Sequence, residues 1–231
     1  MAERKAQEAP VIRAAIFDMD GTILDSMHAW HDVGERYLRS IGIEAEPGLG
    51  DKLFTETAES GAIYLVETYG LNMTPEQLAV ELSEQMRLFY STEAEFRPGA
   101  LAWLDTLRSA GIPMAVLTST DGYLVRIVLE RLGILGYFQG VFSSGDLHMS
   151  KGKPEIFQLT VDSLGARPEE TAVFEDGLYA IRTANAAGFV TVGIYDEISR
   201  ADQPAIRAES DYYVTSLEEL AWDGSHILVR A

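Results

Sequence analysis

The sequence contains no cysteine, and this absence limits the chemistry that the protein can perform. Disulfide bonds and zinc sites built on thiolates are excluded. The chain also lacks a continuous apolar run of about eighteen residues, the length that a membrane-spanning helix needs. Its first ten residues, Met1–Pro10, are mostly polar or charged and lack the apolar run of a secretory signal. We therefore expect a cytoplasmic protein that has no membrane partner.

Positive charge is also scarce in this chain. Its 231 residues include 18 lysines and arginines against 36 aspartates and glutamates, so the formal net charge is −18. A surface of this charge repels nucleic acid and anionic lipid, and neither is an expected partner. A small anionic substrate would have to be held by a local cation or by positive side chains inside a cleft. We expect a soluble globular protein that acts as a monomer or a weak homodimer.

The order of predicted elements is one strand, a long helical stretch, and then alternating strands and helices. The first strand is predicted over Val11–Phe17, and no strand pattern occurs within residues 26–95. The later strands are predicted over Ile112–Leu117, Val141–Phe142, Thr171–Phe174, Phe189–Ile194 and Tyr212–Val214. This alternation predicts an α/β fold with a doubly wound, Rossmann-like parallel sheet. We expect a core domain of residues 1–25 and 96–231, interrupted by an all-helical cap domain of residues 26–95.

Carboxylates and hydroxyls follow three of the predicted strands at the point where each strand ends. They are Asp18, Asp20, Thr118, Ser119, Thr120, Glu175 and Asp176. Ligands of an open parallel sheet bind at the carboxyl ends of its strands, so we expect these side chains to meet there. Four carboxylates at one point raise one another's pKa, and a hard divalent cation relieves this repulsion. Because the set contains no cysteine or histidine, the expected cation is Mg²⁺ rather than Zn²⁺.

Asp18 and Asp20 lie two residues apart, directly after the first strand. Residues at this spacing point the same way while the chain stays extended. One carboxylate can therefore attack a substrate while the other donates and then accepts a proton. A simple turn is the alternative interpretation, since aspartate and the following Gly21 both favour turns. The acidic pair that follows a second strand favours the catalytic interpretation.

The run Asp18-Met19-Asp20-Gly21-Thr22 matches the DxDGT signature of the haloacid dehalogenase superfamily. The chain resembles the phosphatase and β-phosphoglucomutase-like members of that family, which carry a helical (C1) cap after this first motif. The resemblance extends from about Ile12 to about Leu220 and includes four motifs in the family's order. It implies that Asp18 is the nucleophile and a metal ligand. It also implies that Asp20 is the general acid and base and lends its backbone carbonyl to the metal.

The second and third motifs supply groups that hold the phosphoryl oxygens. The resemblance implies that the hydroxyl of Thr118 and the backbone N–H of Ser119 bind a phosphoryl oxygen. The third motif is a lysine three residues before a helix-starting proline, here Pro154, and this spacing selects Lys151 over Lys153. Lys151 would neutralise the nucleophile and the phosphoryl group during transfer.

The fourth motif is the acidic pair Glu175-Asp176 after a predicted strand. The resemblance implies that Asp176 binds Mg²⁺ directly and that Glu175 binds it directly or through water. An alternative role for Asp176 is to cap the helix that follows, and both roles can hold at once.

Together the motifs imply a Mg²⁺-dependent phosphatase that hydrolyses a small phosphorylated metabolite, such as a sugar phosphate, through an aspartyl-phosphate intermediate. A β-phosphoglucomutase-type mutase shares all four motifs, but Trp30 and Asp121 stand where that subgroup has a histidine and a lysine. Dehalogenases lack the second aspartate, so Asp20 argues against dehalogenation. A phosphonatase would use a cap lysine, for which only Lys52 is available. A catalytically silent binding domain is a further alternative, although the chain retains the acids and the lysine of all four motifs.

Overall fold

The chain forms two compact units in the computed structural model, which describes residues 9–54 and 56–230. The core unit comprises residues 1–25 and 95–231, and the helical unit comprises Ser26–Ala94. Glu95, which we expected in the cap, belongs to the core unit. Its carbonyl accepts a hydrogen bond from the backbone N–H of Asp25 at 3.0 Å. This bond joins the point where the chain leaves the core unit to the point where it returns.

Six strands of the core unit form one parallel sheet. They are β1 (Ala14–Phe17), β2 (Met114–Thr118), β3 (Gly140–Ser143), β4 (Thr171–Glu175), β5 (Val190–Ile194) and β6 (Tyr212–Val214). Their order across the sheet is β3-β2-β1-β4-β5-β6, so β1 lies between β2 and β4. All four residues of β1 are buried, as its continuous apolar run predicts for a central parallel strand. The predicted doubly wound α/β fold is confirmed.

The helices of the core unit alternate with these strands. They are α6 (Ala100–Ser109), α7 (Gly122–Arg131), α8 (Ser144–Leu147), α9 (Pro154–Ser163), α10 (Leu178–Ala186) and α11 (Gln203–Glu209). One buried cluster joins Ile16 and Val173 of the sheet to Phe157 of α9. Phe17 stacks on Phe174 at a centroid distance of 4.3 Å, and Trp103 of α6 meets Phe174 edge-on at 6.1 Å. These aromatic contacts fix β1 against β4 directly before the residues of the candidate site.

The helical unit contains five helices and, within its described residues, no strand. They are α1 (Met27–His31), α2 (Val33–Ser40), α3 (Leu49–Phe54), α4 (Ala58–Tyr69) and α5 (Pro75–Thr92). α5 begins at the predicted capping box, in which Thr74 Oγ1 accepts the Gln77 N–H and Gln77 Oε1 accepts the Thr74 N–H. Apolar residues of α2, α4 and α5 pack together as the core of this unit.

Several short elements were not predicted from the sequence. A two-stranded antiparallel ribbon forms from β7 (Leu220–Trp222) and β8 (Ile227–Val229), and α8 and α11 are also additional. Elements of three to seven residues carry too little periodicity to be recognised. The first strand is shorter than expected, because Val11 is 43% exposed and the Ile12 N–H bonds to Ser225 instead of to the sheet. Among the described residues, no helix is both long enough and apolar enough to cross a membrane.

A substitution at Gly99 tests how closely the start of α6 packs against the rest of the core unit. Its φ is +79°, and a Cβ built there would lie 2.4 Å from the backbone N of Glu218. We expect Gly99→Ala to lower the free energy of unfolding by about 3 kcal/mol or more, since a left-handed backbone and a backbone clash both oppose it. Urea denaturation measures this change.

Gly133→Ala is the matched control, because Gly133 has a φ of +75° but no described atom within 4 Å of the added Cβ. This variant should lose only about 1 kcal/mol, the cost of the left-handed conformation alone. Equal losses in the two variants would show that the contact with Glu218 does not constrain Gly99.

Candidate active site

The parallel register of β1 and β4 brings the first and fourth motifs together. Phe17 pairs with Phe174, and the N–H of Asp18 donates to the Phe174 carbonyl at 2.9 Å. The acids that follow these residues therefore emerge side by side at the same edge of the sheet. Asp18, Glu175 and Asp176 each offer a carboxylate oxygen, these three oxygens lie within 4.8 Å of one another, and all three side chains are buried.

Lys151 lies between two of these acids. Its Nζ is 2.7 Å from Asp18 Oδ1 and 2.5 Å from Glu175 Oε2, and its side chain is only 2% exposed. Lys153, the other lysine considered for the third motif, is exposed at the N-cap position of α9. Lys151, the lysine that motif spacing selects, is therefore the one that contacts the acids, and Lys153 is not.

Burial dominates the electrostatics of this group. It raises the pKa of Asp18 to about 8, although the nearby Lys151 charge acts in the opposite direction. Burial also raises the pKa of Asp176 well above its usual range, and the neighbouring charges of Asp18 and Glu175 add to the rise. Burial alone would lower the pKa of Lys151, but the carboxylates of Asp18 and Glu175 outweigh it and raise that pKa. Negative charge therefore exceeds positive charge at this point.

A hard divalent cation fits this donor set. Three buried carboxylates face one ammonium group, so the cluster carries excess negative charge that a cation would neutralise. All the available donor atoms are oxygens, as magnesium and similar ions prefer. Asp18, Glu175 and Asp176 are the residues that could hold such an ion.

Asp20 has a different environment from Asp18. Its carboxylate is not part of the three-acid group, and its Oδ2 accepts a hydrogen bond from the Thr120 hydroxyl at 2.7 Å. Gly21, with a φ of +80°, turns the chain away from the sheet directly afterwards. The role of the Asp20 backbone carbonyl as a metal ligand stays a prediction.

The hydroxyl run after β2 lies at the same edge of the sheet. Thr118 is buried, and its Oγ1 accepts the backbone N–H of Thr120 at 3.1 Å. Within the part of the chain that the structure describes, the Thr118 hydroxyl hydrogen has no acceptor, so it is available to a ligand. The hydroxyls of Ser119 and Tyr179 lie 3.3 Å apart and form a hydrogen bond.

Asp176 does not cap the following helix. The N-cap position of α10 is Gly177, and no side chain bonds there. Asp176 Oδ1 instead lies 3.5 Å from the hydroxyl of Thr22, a residue of the first motif. The alternative capping role is therefore wrong, and the Asp176 carboxylate remains directed at the acidic group.

Sequence reasoning assigned no role to three residues that support the site. Thr120 belongs to the hydroxyl run but its contact with Asp20 depends on side-chain rotamers. Asp196 follows β5 and is buried, and Arg97 Nη1 donates to its Oδ2 at 2.7 Å. The Asp196 charge contributes to the raised pKa of Asp176. Asp196 lies two residues beyond the end of β5, so it shares the strand-end position of the other acids.

Comparison with known proteins gives one consistent set of matches. A family model described as haloacid dehalogenase-like hydrolase matches residues 12–188. Fructose-1-phosphate phosphatase YqaB of Escherichia coli is 30% identical over 185 residues, which cover 78% of this chain and 94% of the relative. A phosphoglycolate phosphatase of Photorhabdus laumondii is 30% identical over 190 residues, covering 79% of this chain and 80% of the relative.

Among solved structures, a Thermotoga maritima protein provisionally named as a β-phosphoglucomutase has a TM-score of 0.79 at 25% identity. The superposition covers 90% of this chain and 96% of that one. The fold of most of this chain is therefore similar to that of a known protein.

The acidic group should make stability depend on a divalent cation. With Mg²⁺ at about 100 times its Kd, the free energy of unfolding should rise by about 2.7 kcal/mol, because only the folded chain gathers the three acids. Asp176→Asn should remove most of this rise, as it removes one charged donor. Thermal denaturation with and without Mg²⁺ measures both effects.

Asp162→Asn is the matched control, since Asp162 is an exposed acid of α9 that accepts a bond from Gln158. It should keep the full Mg²⁺ response. Burial raises the pKa of Asp18 to about 8 and also raises that of Asp176, and both acids must lose their protons to bind a cation, so the response should grow as the pH rises through about 8. An Asp176→Asn variant as responsive as the wild type would contradict the assignment.

Proposed function

This chain belongs to the haloacid dehalogenase-like hydrolase family, and from that premise we propose that it is a magnesium-dependent phosphatase. Its substrate would be a small phosphate monoester, such as a sugar phosphate or a similar metabolite. The observation that carries the proposal is the placement of Asp18, which combines a lysine partner at 2.7 Å with two neighbouring acids. The names of the phosphatase relatives support this substrate class.

The proposed reaction begins with attack of a carboxylate oxygen of Asp18 on the phosphorus atom. A bond forms between that oxygen and phosphorus while the ester P–O bond breaks, and Asp20 gives its proton to the departing alcohol. Asp20 then accepts a proton from water as the water oxygen attacks phosphorus. The bond between phosphorus and the Asp18 oxygen breaks as the water oxygen bonds to phosphorus, so inorganic phosphate leaves and Asp18 is regenerated as a carboxylate.

The remaining residues hold the phosphoryl group in place. Lys151 would stabilise the negative charge of its oxygens, and the Thr118 hydroxyl and the Ser119 N–H would donate to one of them. Asp18, Glu175 and Asp176 would hold Mg²⁺ with the Asp20 carbonyl. Bound Mg²⁺ would neutralise negative charge on the phosphoryl group during its transfer. This local positive charge is needed because the chain as a whole carries −18.

We also propose that Ser26–Ala94 acts as the cap domain that selects the substrate. The protein would work in the cytoplasm as a monomer or a weak homodimer, without nucleic acid or membrane partners. The large negative charge supports the exclusion of these two partners.

A phosphomutase is the weaker alternative for this site. The Nε1 of Trp30 donates to the Tyr90 hydroxyl at 2.9 Å, so the position where mutases have a histidine holds an indole that is already bonded. An indole N–H is a donor only and cannot exchange a proton with a sugar hydroxyl. Isomerisation of a hexose monophosphate that requires a catalytic amount of the bisphosphate would favour the mutase instead.

Hydrolysis of p-nitrophenyl phosphate tests the proposed function. The wild type should release nitrophenol only when Mg²⁺ is present, and Asp18→Asn should lower kcat by at least about a thousandfold because the amide is a poor nucleophile. Circular dichroism checks that the variant is folded. Activity that survives Asp18→Asn, or that ignores chelation of Mg²⁺, would contradict the mechanism.

Thr120 should influence the rate through Asp20, which its hydroxyl contacts at 2.7 Å. Thr120→Val keeps the shape but removes the donor, and we expect kcat to fall roughly 10- to 100-fold with little change in KM. Thr120→Ser keeps the donor and should retain most of the activity. Equal losses in the two variants would show that packing, and not the hydrogen bond, matters at this position.

A further inference from the structure

The segment between β5 and α11 contacts the main chain of Asp176. The hydroxyl of Ser199 lies 3.4 Å from the Asp176 carbonyl oxygen and 3.3 Å from the Asp196 carbonyl oxygen, and it donates to these acceptors. Asp176 is one of the three acids that could hold a divalent cation. Ser199 therefore contacts the peptide group of a candidate metal ligand without belonging to the acidic group itself.

The Ser199 hydroxyl is itself held by a chain of hydrogen bonds. The Tyr213 hydroxyl donates to Gln203 Oε1 at 2.8 Å, and Gln203 Nε2 donates to Ser199 Oγ at 2.8 Å. Gln203 is buried, and its Nε2 also donates to the Asp196 carbonyl at 3.2 Å. Because Ser199 Oγ accepts a hydrogen from Gln203, its own hydrogen points away from Gln203 and toward the two carbonyl oxygens.

A buried ion pair fixes the start of the same segment. Arg97 Nη1 donates to Asp196 Oδ2 at 2.7 Å, and Arg97 Nη2 donates to the Tyr195 carbonyl. The other carboxylate oxygen of Asp196 accepts the N–H of Ile198 at 2.9 Å. The side chains of Arg97 and Asp196 are 12% and 7% exposed, so the two charges are held together away from water.

The main chain of Arg97 is joined to the segment that follows the first motif. Its N–H donates to the Ile23 carbonyl at 2.9 Å, and the preceding Phe96 forms an antiparallel bridge with Leu24. Arg97 therefore links the segment after β1 to the segment after β5. In the sheet, β4 lies between these two strands, and Asp176 directly follows β4.

We propose that Arg97 and Ser199 are positioning residues for the metal site. Arg97 holds Asp196 and the segment after β5, and Ser199 of that segment holds the peptide group of Asp176. The Asp176 carboxylate thereby keeps the direction in which it can bind a divalent cation. Loss of a group that orients a metal ligand costs about 10- to 100-fold in metal affinity or activity, although that group does not touch the metal. The proposal rests on the proposed function, since it takes Asp176 as a ligand of Mg²⁺.

Isothermal titration of the whole chain with Mg²⁺, without substrate, tests the role of Ser199. Ser199→Ala should raise the Kd for Mg²⁺ roughly three- to tenfold, because one hydrogen bond to the Asp176 peptide is lost. Ser199→Thr keeps the hydroxyl and should bind Mg²⁺ nearly as tightly as the wild type. In hydrolysis of p-nitrophenyl phosphate, Ser199→Ala should need more Mg²⁺ for half of its maximal rate, by the same factor, and should keep most of its kcat at saturating Mg²⁺.

Ser210→Ala is the matched control. Ser210 directly follows α11, and its hydroxyl is buried without a hydrogen-bond partner among the described residues. Its loss should leave the Kd for Mg²⁺ unchanged. An equal rise of the Kd in Ser199→Ala and Ser210→Ala would overturn the role of Ser199, since it would indicate a general loosening of this part of the chain.

Arg97→Met separates positioning from a simple effect of charge. If only the charge of Arg97 mattered, its removal would leave more negative charge near the site and would lower the Kd for Mg²⁺. Positioning predicts the opposite change, a rise of the Kd by at least about threefold, because the bonds to Asp196 and to the Tyr195 carbonyl are lost. A lower Kd would overturn the role of Arg97. Circular dichroism checks that this variant folds, and Ser199→Ala decides the proposal if it does not.

The outcomes separate this proposal from the proposed function. Asp18-dependent hydrolysis with an unchanged Kd in Ser199→Ala would overturn the positioning role and leave the phosphatase intact. Binding of Mg²⁺ that Ser199→Ala weakens, without Asp18-dependent hydrolysis of p-nitrophenyl phosphate, would overturn the phosphatase and support the positioning role. A wild-type chain that does not bind Mg²⁺ would overturn both.

Discussion

The ammonium group of Lys151 lies between the buried carboxylates of Asp18 and Glu175, and the chemistry of the site depends on this contact. A lysine and two acids cannot be withdrawn from water unless their charges are paired. The pairing also fixes the position of Asp18, the proposed nucleophile, because the lysine holds one of its carboxylate oxygens. A charge imbalance remains, since Asp176 adds a third acid, and this imbalance favours a bound divalent cation.

The fold produces this arrangement from segments that are far apart in the chain. Parallel pairing of β1 with β4 aligns Asp18 with Glu175, and the turn before α9 delivers Lys151 to both. Stacking of Phe17 on Phe174 holds the two strands in register directly below the acids. The apolar core and the site are therefore coupled, because a shift of register by one residue would move each acid to the other face of the sheet.

Much of the site could be predicted from the sequence, because side chains that directly follow parallel strands lie at the same edge of the sheet. This relation identified the four motif acids and Thr118. Lys151 followed only from motif spacing, since no strand directly precedes it. The bond between Thr120 and Asp20 depends on rotamers, which a one-dimensional pattern does not contain. The ribbon of β7 and β8 was missed because three-residue strands have no measurable period.

The two aspartates of the first motif differ in the groups that surround them, and this difference supports the different roles that we propose for them. They are identical residues two positions apart, and the sequence alone allows either one to attack. Asp18 faces the Lys151 ammonium group, which favours its ionised carboxylate, whereas the neighbouring charge of Glu175 opposes ionisation and would be offset by a bound cation. Asp20 accepts a hydrogen bond from the neutral hydroxyl of Thr120 and lies outside the group of three acids. The proposed division between nucleophile and proton carrier therefore rests on two different partners, Thr120 after β2 and Lys151 before α9.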